Sequence, residues 1–253
     1  MKFNIITIFP KIFDSYFSES IIKRAQEKKL VDIHIHNLRD FTNDKHKTVD
    51  DSPYGGGAGM VIKVEPVIKA VGSILKVKSN PSTSLRASKK TKIIVFSTKG
   101  KQFNQKMAYD WSKKFDQLIL ITGRYEGIDE RVVKILKAEE ISIGPYVLTD
   151  GEVPAMAIVS AVTRLIPGAI NLESLQEESH WDFLIKREKR VKGGKKGGKK
   201  KKGVAPSVVG GLEYPHYTRP EVLEYKGKKF RVPKVLLSGD HKKIAEWRQS
   251  KLK

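Results

Sequence analysis

The densest polar chemistry in the chain sits at the end of an apolar run, where "QLILI" (117–121) leads into "GRYEGIDER" (123–131). A strand-to-helix turn needs one glycine and one capping side chain, and Asp129 can supply the cap. Arg124, Tyr125 and Glu126 exceed that need, and Gly123 and Gly127 leave room for a ligand to approach the backbone. Two more strand-end loops carry similar small and polar residues, Ser97 to Lys101 and Thr149 to Pro154. A fourth candidate is "YGGGAGM" (54–60), whose four glycines tolerate positive φ and expose backbone amides; a merely flexible surface loop would read the same way. It lacks the Gly-Lys-Ser/Thr ending of a triphosphate-binding loop. No G-x-G-x-x-G opens a helix after a strand either, so ATP hydrolysis and nicotinamide chemistry are disfavoured.

The elements that must position these loops alternate along the chain. Apolar β-type runs occur at 3–9, 31–38, 92–97, 117–123 and 141–148, separated by helical patterns over 11–28, 65–76, 102–113, 128–137 and 152–166. Such alternation predicts an α/β fold with a parallel sheet flanked by helices. The runs at 92–97 and 117–123 are almost wholly apolar, as central strands covered on both faces should be. Ligands bind such sheets at the carboxyl ends of the strands, where the three polar loops fall.

With 253 residues and 39% hydrophobic content, the chain can bury a large domain plus a smaller piece. No run approaches the roughly 18 apolar residues of a membrane span, and Pro10 and early charge argue against a signal peptide, so the expected address is the cytoplasm. The absence of cysteine excludes disulfides and thiolate metal sites, and scattered histidines predict no structural zinc. The net charge of +21, from 49 Lys+Arg against 28 Asp+Glu, points to a polyanionic partner, nucleic acid above all. A lysine-rich proteome would produce the same surface without it. Within 186–203, "KREKRVKGGKKGGKKKKG", eleven Lys/Arg face Glu188 alone, so +10 of the charge lies in a segment too polar to fold by itself. Ordered-looking sequence resumes near 210 and ends in a helical pattern over 239–250.

Five stretches, "TVDDSPYGGGAGM", "GRYEGIDER", "SIGPYVLTDGEVPAM", "RLIPG" and "LEYPHYTRPEV", resemble in order and spacing the bacterial tRNA (guanine-N1)-methyltransferases, the TrmD family. The resemblance spans the chain except 183–209. It implies a SPOUT-type sheet tied into a deep trefoil knot over 1–168, an interdomain linker with its lysine insertion over 169–209, and a small, mainly helical tRNA-binding domain over 210–253. It further implies a homodimer with the active site at the subunit interface, and transfer of a methyl group from S-adenosyl-L-methionine to N1 of guanosine 37 in the tRNA anticodon stem-loop. By motif, the cofactor falls to Phe96, Ser97 and Gly100, to Gly123, Tyr125, Glu126 and Gly127, and to Ser142, Ile143, Gly144, Tyr146, Leu148, Gly151 and Pro154. Asp50, Tyr54, Gly59, His216 and Arg219 are the implied substrate contacts. A need for Mg2+ is left open.

Alkylating this nitrogen requires a general base for the N1 proton and a donor for charge on O6. The resemblance assigns the donor to Arg164, although an arginine at a helix carboxyl end also has a purely structural reading. The base is where the chain departs from the family. The usual acidic pair before Ser-Phe is here "QEESHWDF" (176–183), which matches Glu178 best, with Asp182 as rival and Glu177 weaker. Two other readings compete: a catalytically impaired RNA-binding protein of this fold, and a knotted methyltransferase with another RNA target.

Overall fold

The computed structural model describes residues 1–54, 59–76, 90–171, 217, 221–225 and 227–250. The chain divides into two compact units, Met1–Leu172 and Glu173–Lys253. In chain order the first unit holds β1 (Lys2–Thr7), a 3-10 turn (Pro10–Phe13), α1 (Asp14–Phe17), α2 (Ser20–Glu27), β2 (Asp32–Asn37), β3 (Asp50–Asp51), β4 (Val61–Ile62) and α3 (Val64–Lys76). It continues with β5 (Thr91–Gln102), α4 (Gln105–Lys114), β6 (Gln117–Ile121), α5 (Arg131–Leu136), β7 (Glu139–Ser142) and α6 (Glu152–Thr163).

The expected parallel sheet is present, with order β2-β1-β6-β5-β7 and every neighbouring pair parallel. β6 is buried along its whole length and sends alternate side chains to opposite faces. Leu118 and Leu120 join a core with α2, α4 and α6, through Ile22, Trp111, Ile158 and Val162. Ile119 and Ile121 join a second core with α3 and α5, through Val67, Val71 and Val132. Helices therefore cover both faces, which is why β6 reads as an unbroken apolar run.

Three elements differ from the sequence reading, each for a local reason. The helical pattern over 11–28 is broken into three pieces, with Ser20 at φ 52° interrupting the backbone between α1 and α2. The strand expected over 141–148 stops at Ser142, because Pro145 has no N–H for the ladder, and residues 143–151 leave the sheet as a loop. β5 runs longer than expected, but its pairing with β7 shifts between Phe96 and Lys101, so residues 97–100 bulge from the ladder with β7.

In the second unit the described residues hold an antiparallel hairpin, β8 (Val222–Tyr225) with β9 (Lys228–Arg231), then α7 (Lys234–Leu237) and α8 (His241–Ser250). Its end helix matches the reading over 239–250. The hairpin enters a module expected to be mainly helical.

Candidate active site

The three loops at the carboxyl edge of the sheet enclose a cleft of about 560 Å³. Thirteen of the fourteen residues expected to hold a cofactor line it: Phe96 and Ser97; Gly123, Tyr125, Glu126 and Gly127; Ser142, Ile143, Gly144, Tyr146, Leu148, Gly151 and Pro154. Gly100 does not line it. A Cβ there would stand 2.6 Å from the carbonyl carbon of Glu140 and from the nitrogen of Ile141, so this glycine lets the loop cross the backbone of β7.

The turn after β6 is shaped by positive φ at Tyr125 (57°) and Gly127 (121°), closed by the Gly127 N–H donating to the Arg124 carbonyl at 3.0 Å. The helix N-cap is Glu130 and not Asp129 as expected; Asp129, one residue earlier, accepts the Arg131 N–H at 2.9 Å. The Arg131 guanidinium also donates to it, which holds the Asp129 carboxyl below its ordinary range. The turn is laced to the segment after the glycine-rich loop. Glu126 N–H donates to Met60, Ile62 N–H to Gly127 and Asp129 N–H to Ile62, at 3.0–3.1 Å. Gly59, at φ +85°, lies with the Glu126 side chain where its Cβ would be, so a residue expected on the substrate side and one expected on the cofactor side share one contact.

Asp50 lies on β3, paired with Ile62, and Tyr54 is fully exposed; neither lines the cleft. Arg164 caps the carboxyl end of α6, opposite the end where Gly151 and Pro154 meet the cleft. Glu177, Glu178, Asp182, His216, Arg219 and the segment 186–203 lie outside the described residues.

A buried network behind the cleft was not singled out from sequence. The carboxylate of Glu152, wholly buried, accepts from the Thr7 hydroxyl at 2.7 Å, the Thr122 hydroxyl at 2.9 Å and Arg124 Nε at 3.2 Å. The Arg124 guanidinium also stacks 4.6 Å from the Phe9 ring centroid and lies 3.9 Å from Asp150. Asp150 accepts the backbone N–H groups of Glu152 and Val153, both at 3.0 Å, at the start of α6. Burial raises its pKa, but the Val153 N–H, the Thr149 hydroxyl and the Arg124 charge outweigh that and hold the carboxyl below its ordinary value. The available signal was a charged residue inside an otherwise apolar helix start, "GEVPAMAIV".

The cleft wall carries Glu126, Glu130, Glu140 and Asp150 against Lys99 and Arg124, two negative charges in excess. Lys99 bridges two of the loops, 2.5 Å from Glu130 and 3.5 Å from Glu140, so its ammonium is already matched. An acidic cleft in a chain of net charge +21 selects a cationic ligand and leaves a polyanion to the surrounding surface. Exposed Tyr125, Tyr146 and Leu148 offer apolar area beside it.

Fold and cleft together define a parallel α/β protein with an open cleft at the carboxyl edge of its sheet, the place where sheets of this kind hold ligands. The family model for tRNA (Guanine-1)-methyltransferase TrmD matches residues 1–253, and the chain belongs to that family. It is 46% identical over 252 residues to a tRNA (guanine-N(1)-)-methyltransferase of Clostridioides difficile strain 630, covering 98% of this chain and 91% of that one. A protein of the same description from Dictyoglomus turgidum is 47% identical, covering 98% and 84%; one from Thermomicrobium roseum is 46% identical, covering 98% and 78%.

Proposed function

We propose that the protein transfers a methyl group from S-adenosyl-L-methionine to N1 of guanosine 37, beside the tRNA anticodon, as a homodimer built on a trefoil-knotted sheet. The observation that carries this reading is the acidic, glycine-walled cleft of an otherwise basic chain, in a family whose relatives are named tRNA (guanine-N(1)-)-methyltransferases. When bound, the donor supplies a methyl group activated by a positively charged sulfur. The volume suits such a ligand. Gly123 and Gly127 admit it close to the backbone, Glu126 and Asp150 favour its charge, and Tyr125, Tyr146 and Leu148 cover an adenine face.

On the acceptor side, Glu178, with Asp182 as rival, removes the N1 proton, and Arg164 donates to O6 as charge develops there. Position 37 lies in a single-stranded loop, where splaying a base out costs less than in a duplex. From Pro154, which lines the cleft, α6 rises about 15 Å to Arg164, more than an arginine side chain spans. This supports a site completed by the second subunit's Arg164. Phe9, Ile12, Tyr16 and Val153 are exposed and offer apolar area for such a partner. Residues 169–209 serve as the linker carrying the base, and residues 210–253 grip the anticodon stem. Among the described residues no helix is long and apolar enough to cross a membrane, and none of their acidic or histidine side chains cluster in a way that would hold a metal ion. The cytoplasm, where tRNA is modified, is the expected address.

Neither competing reading has a specific observation behind it. An impaired RNA-binding protein would not need a matched set of three cofactor loops. The decisive experiment is mass spectrometry of an unmodified transcript with guanosine at 37 after incubation with protein and donor. A mass gain of one methyl group localised to N1 of that base supports the proposal, and an unaltered transcript overturns it.

A further inference from the structure

We infer that Glu152 is a positioning residue for methyl transfer, acting through Arg124. The inference rests on the function proposed above and adds to it a residue outside the cleft. Glu152 is wholly buried and does not touch the cleft, whereas its partner Arg124 forms part of the wall. A charge so buried is expensive unless paired and hydrogen-bonded, so a carboxylate kept there must be held by donors. Its donors come from two strand ends. Thr7 closes β1 and also accepts the Phe9 N–H at 2.9 Å, so one hydroxyl ties the β1 exit to Glu152. Thr122 follows β6, and its hydroxyl lies 2.9 Å from Glu152 and 3.1 Å from the Ile6 carbonyl. The carboxylate itself belongs to the first turn of α6, which follows the third cleft loop.

One side chain thus joins the exits of β1 and β6 to the loop that enters α6. Among the described partners of this carboxylate, Arg124 is the one that lines the cleft. Its Nε donates to Glu152 and its guanidinium carbon lies 4.6 Å from the Phe9 ring centroid, while the residue itself lines the cleft. An arginine fork oriented from behind in this way loses little freedom when it meets a ligand group. Lysine could not reproduce it, since it offers no Nε–H and no plane to stack.

The test uses the full-length dimer and the variants Glu152→Gln, Arg124→Gln and the double variant. Glutamine preserves the volume and an acceptor for the two threonines, but it removes the charge that orients Arg124. Glu152→Gln is expected to lower kcat/KM on the order of 100-fold, as misplacement of a wall group does. In the Arg124→Gln background the same change should cost no more than about threefold, because contacting residues are not additive. Restoring the charge with Glu152→Asp should recover part of the rate. Nitrogen-proton NMR gives a readout independent of turnover: the Arg124 Nε–H, identified by its loss in Arg124→Gln, should be protected from exchange in the wild type and unprotected in Glu152→Gln. Equal losses in both backgrounds, or an Nε–H still protected without the carboxylate, would overturn the inference. A wild-type protein that methylates nothing would overturn the proposed function instead, and the NMR comparison would still decide whether Glu152 holds Arg124.

Discussion

Gly123 and Gly151 both line the cleft and are joined by a backbone hydrogen bond, the Gly151 N–H donating to the Gly123 carbonyl at 3.0 Å. A Cβ on Gly151 would stand 2.6 Å from the Gly123 nitrogen and 2.9 Å from Thr122 Cα, and backbone on that side cannot swing away as a side chain could. Gly151→Ala should therefore separate the second and third loops. The expected result is a fall of at least tenfold in S-adenosyl-L-methionine affinity by titration calorimetry, with a loss of about 1–3 kcal/mol in unfolding free energy. Gly100→Ala meets the same obstacle at β7 but outside the lining, so its stability should fall by a similar amount with a smaller change in ligand affinity.

Asp150 links the charge of the cleft to the start of α6. Its folded pKa lies below the 3.8 of the free group, so its stabilising contribution is present above that value and is lost as pH falls through the lower, folded one. At neutral pH, Asp150→Ala should cost about 1–2 kcal/mol, the usual worth of such a cap with a nearby cation. The gap between wild type and variant, followed by urea unfolding, should hold down to about pH 5 and shrink below pH 4. A gap that widened on acidification would contradict the assignment.

Arg164 and Glu126 offer a complementation test of the proposed homodimer. Arg164→Ala alone and Glu126→Gln alone should each be nearly inactive. Mixed and re-equilibrated, they form heterodimers in which one cleft has an intact Glu126 and receives Arg164 from the other chain. Recovery of about a quarter of wild-type turnover is expected, since random pairing makes half the dimers mixed and each mixed dimer has one intact site. If Arg164 served the cleft of its own chain, no recovery would occur.

The lysine-rich stretch 186–203 carries +10 and should contribute affinity without sequence preference. Deleting it is expected to flatten the slope of log affinity for tRNA against log salt, while turnover at saturating substrate changes little. An unchanged slope in filter binding would remove the segment from tRNA recognition.

Local pattern was enough for some of this. The apolar runs IIVF within β5 and LILI within β6 announced a covered parallel sheet, because strands buried on both faces have no polar side to show. The surplus of polar residues after Ile121 marked a ligand edge, because a turn alone has no use for Arg124, Tyr125 and Glu126 together. Motif resemblance supplied the list of cleft residues, and thirteen of them line one cavity.

Tertiary structure decided the rest. Gly100 reads as another loop glycine, and only the crossing of β7 explains it. Glu152 looks like one more helix-start carboxylate, yet it meets Thr7, 145 residues away, and Thr122, 30 residues away. Side-chain periodicity reports which face of an element is buried, but it carries no information about which distant strand end lies against that face. The main sheet pairs β1 with β6, so groups remote along the chain converge at its carboxyl edge.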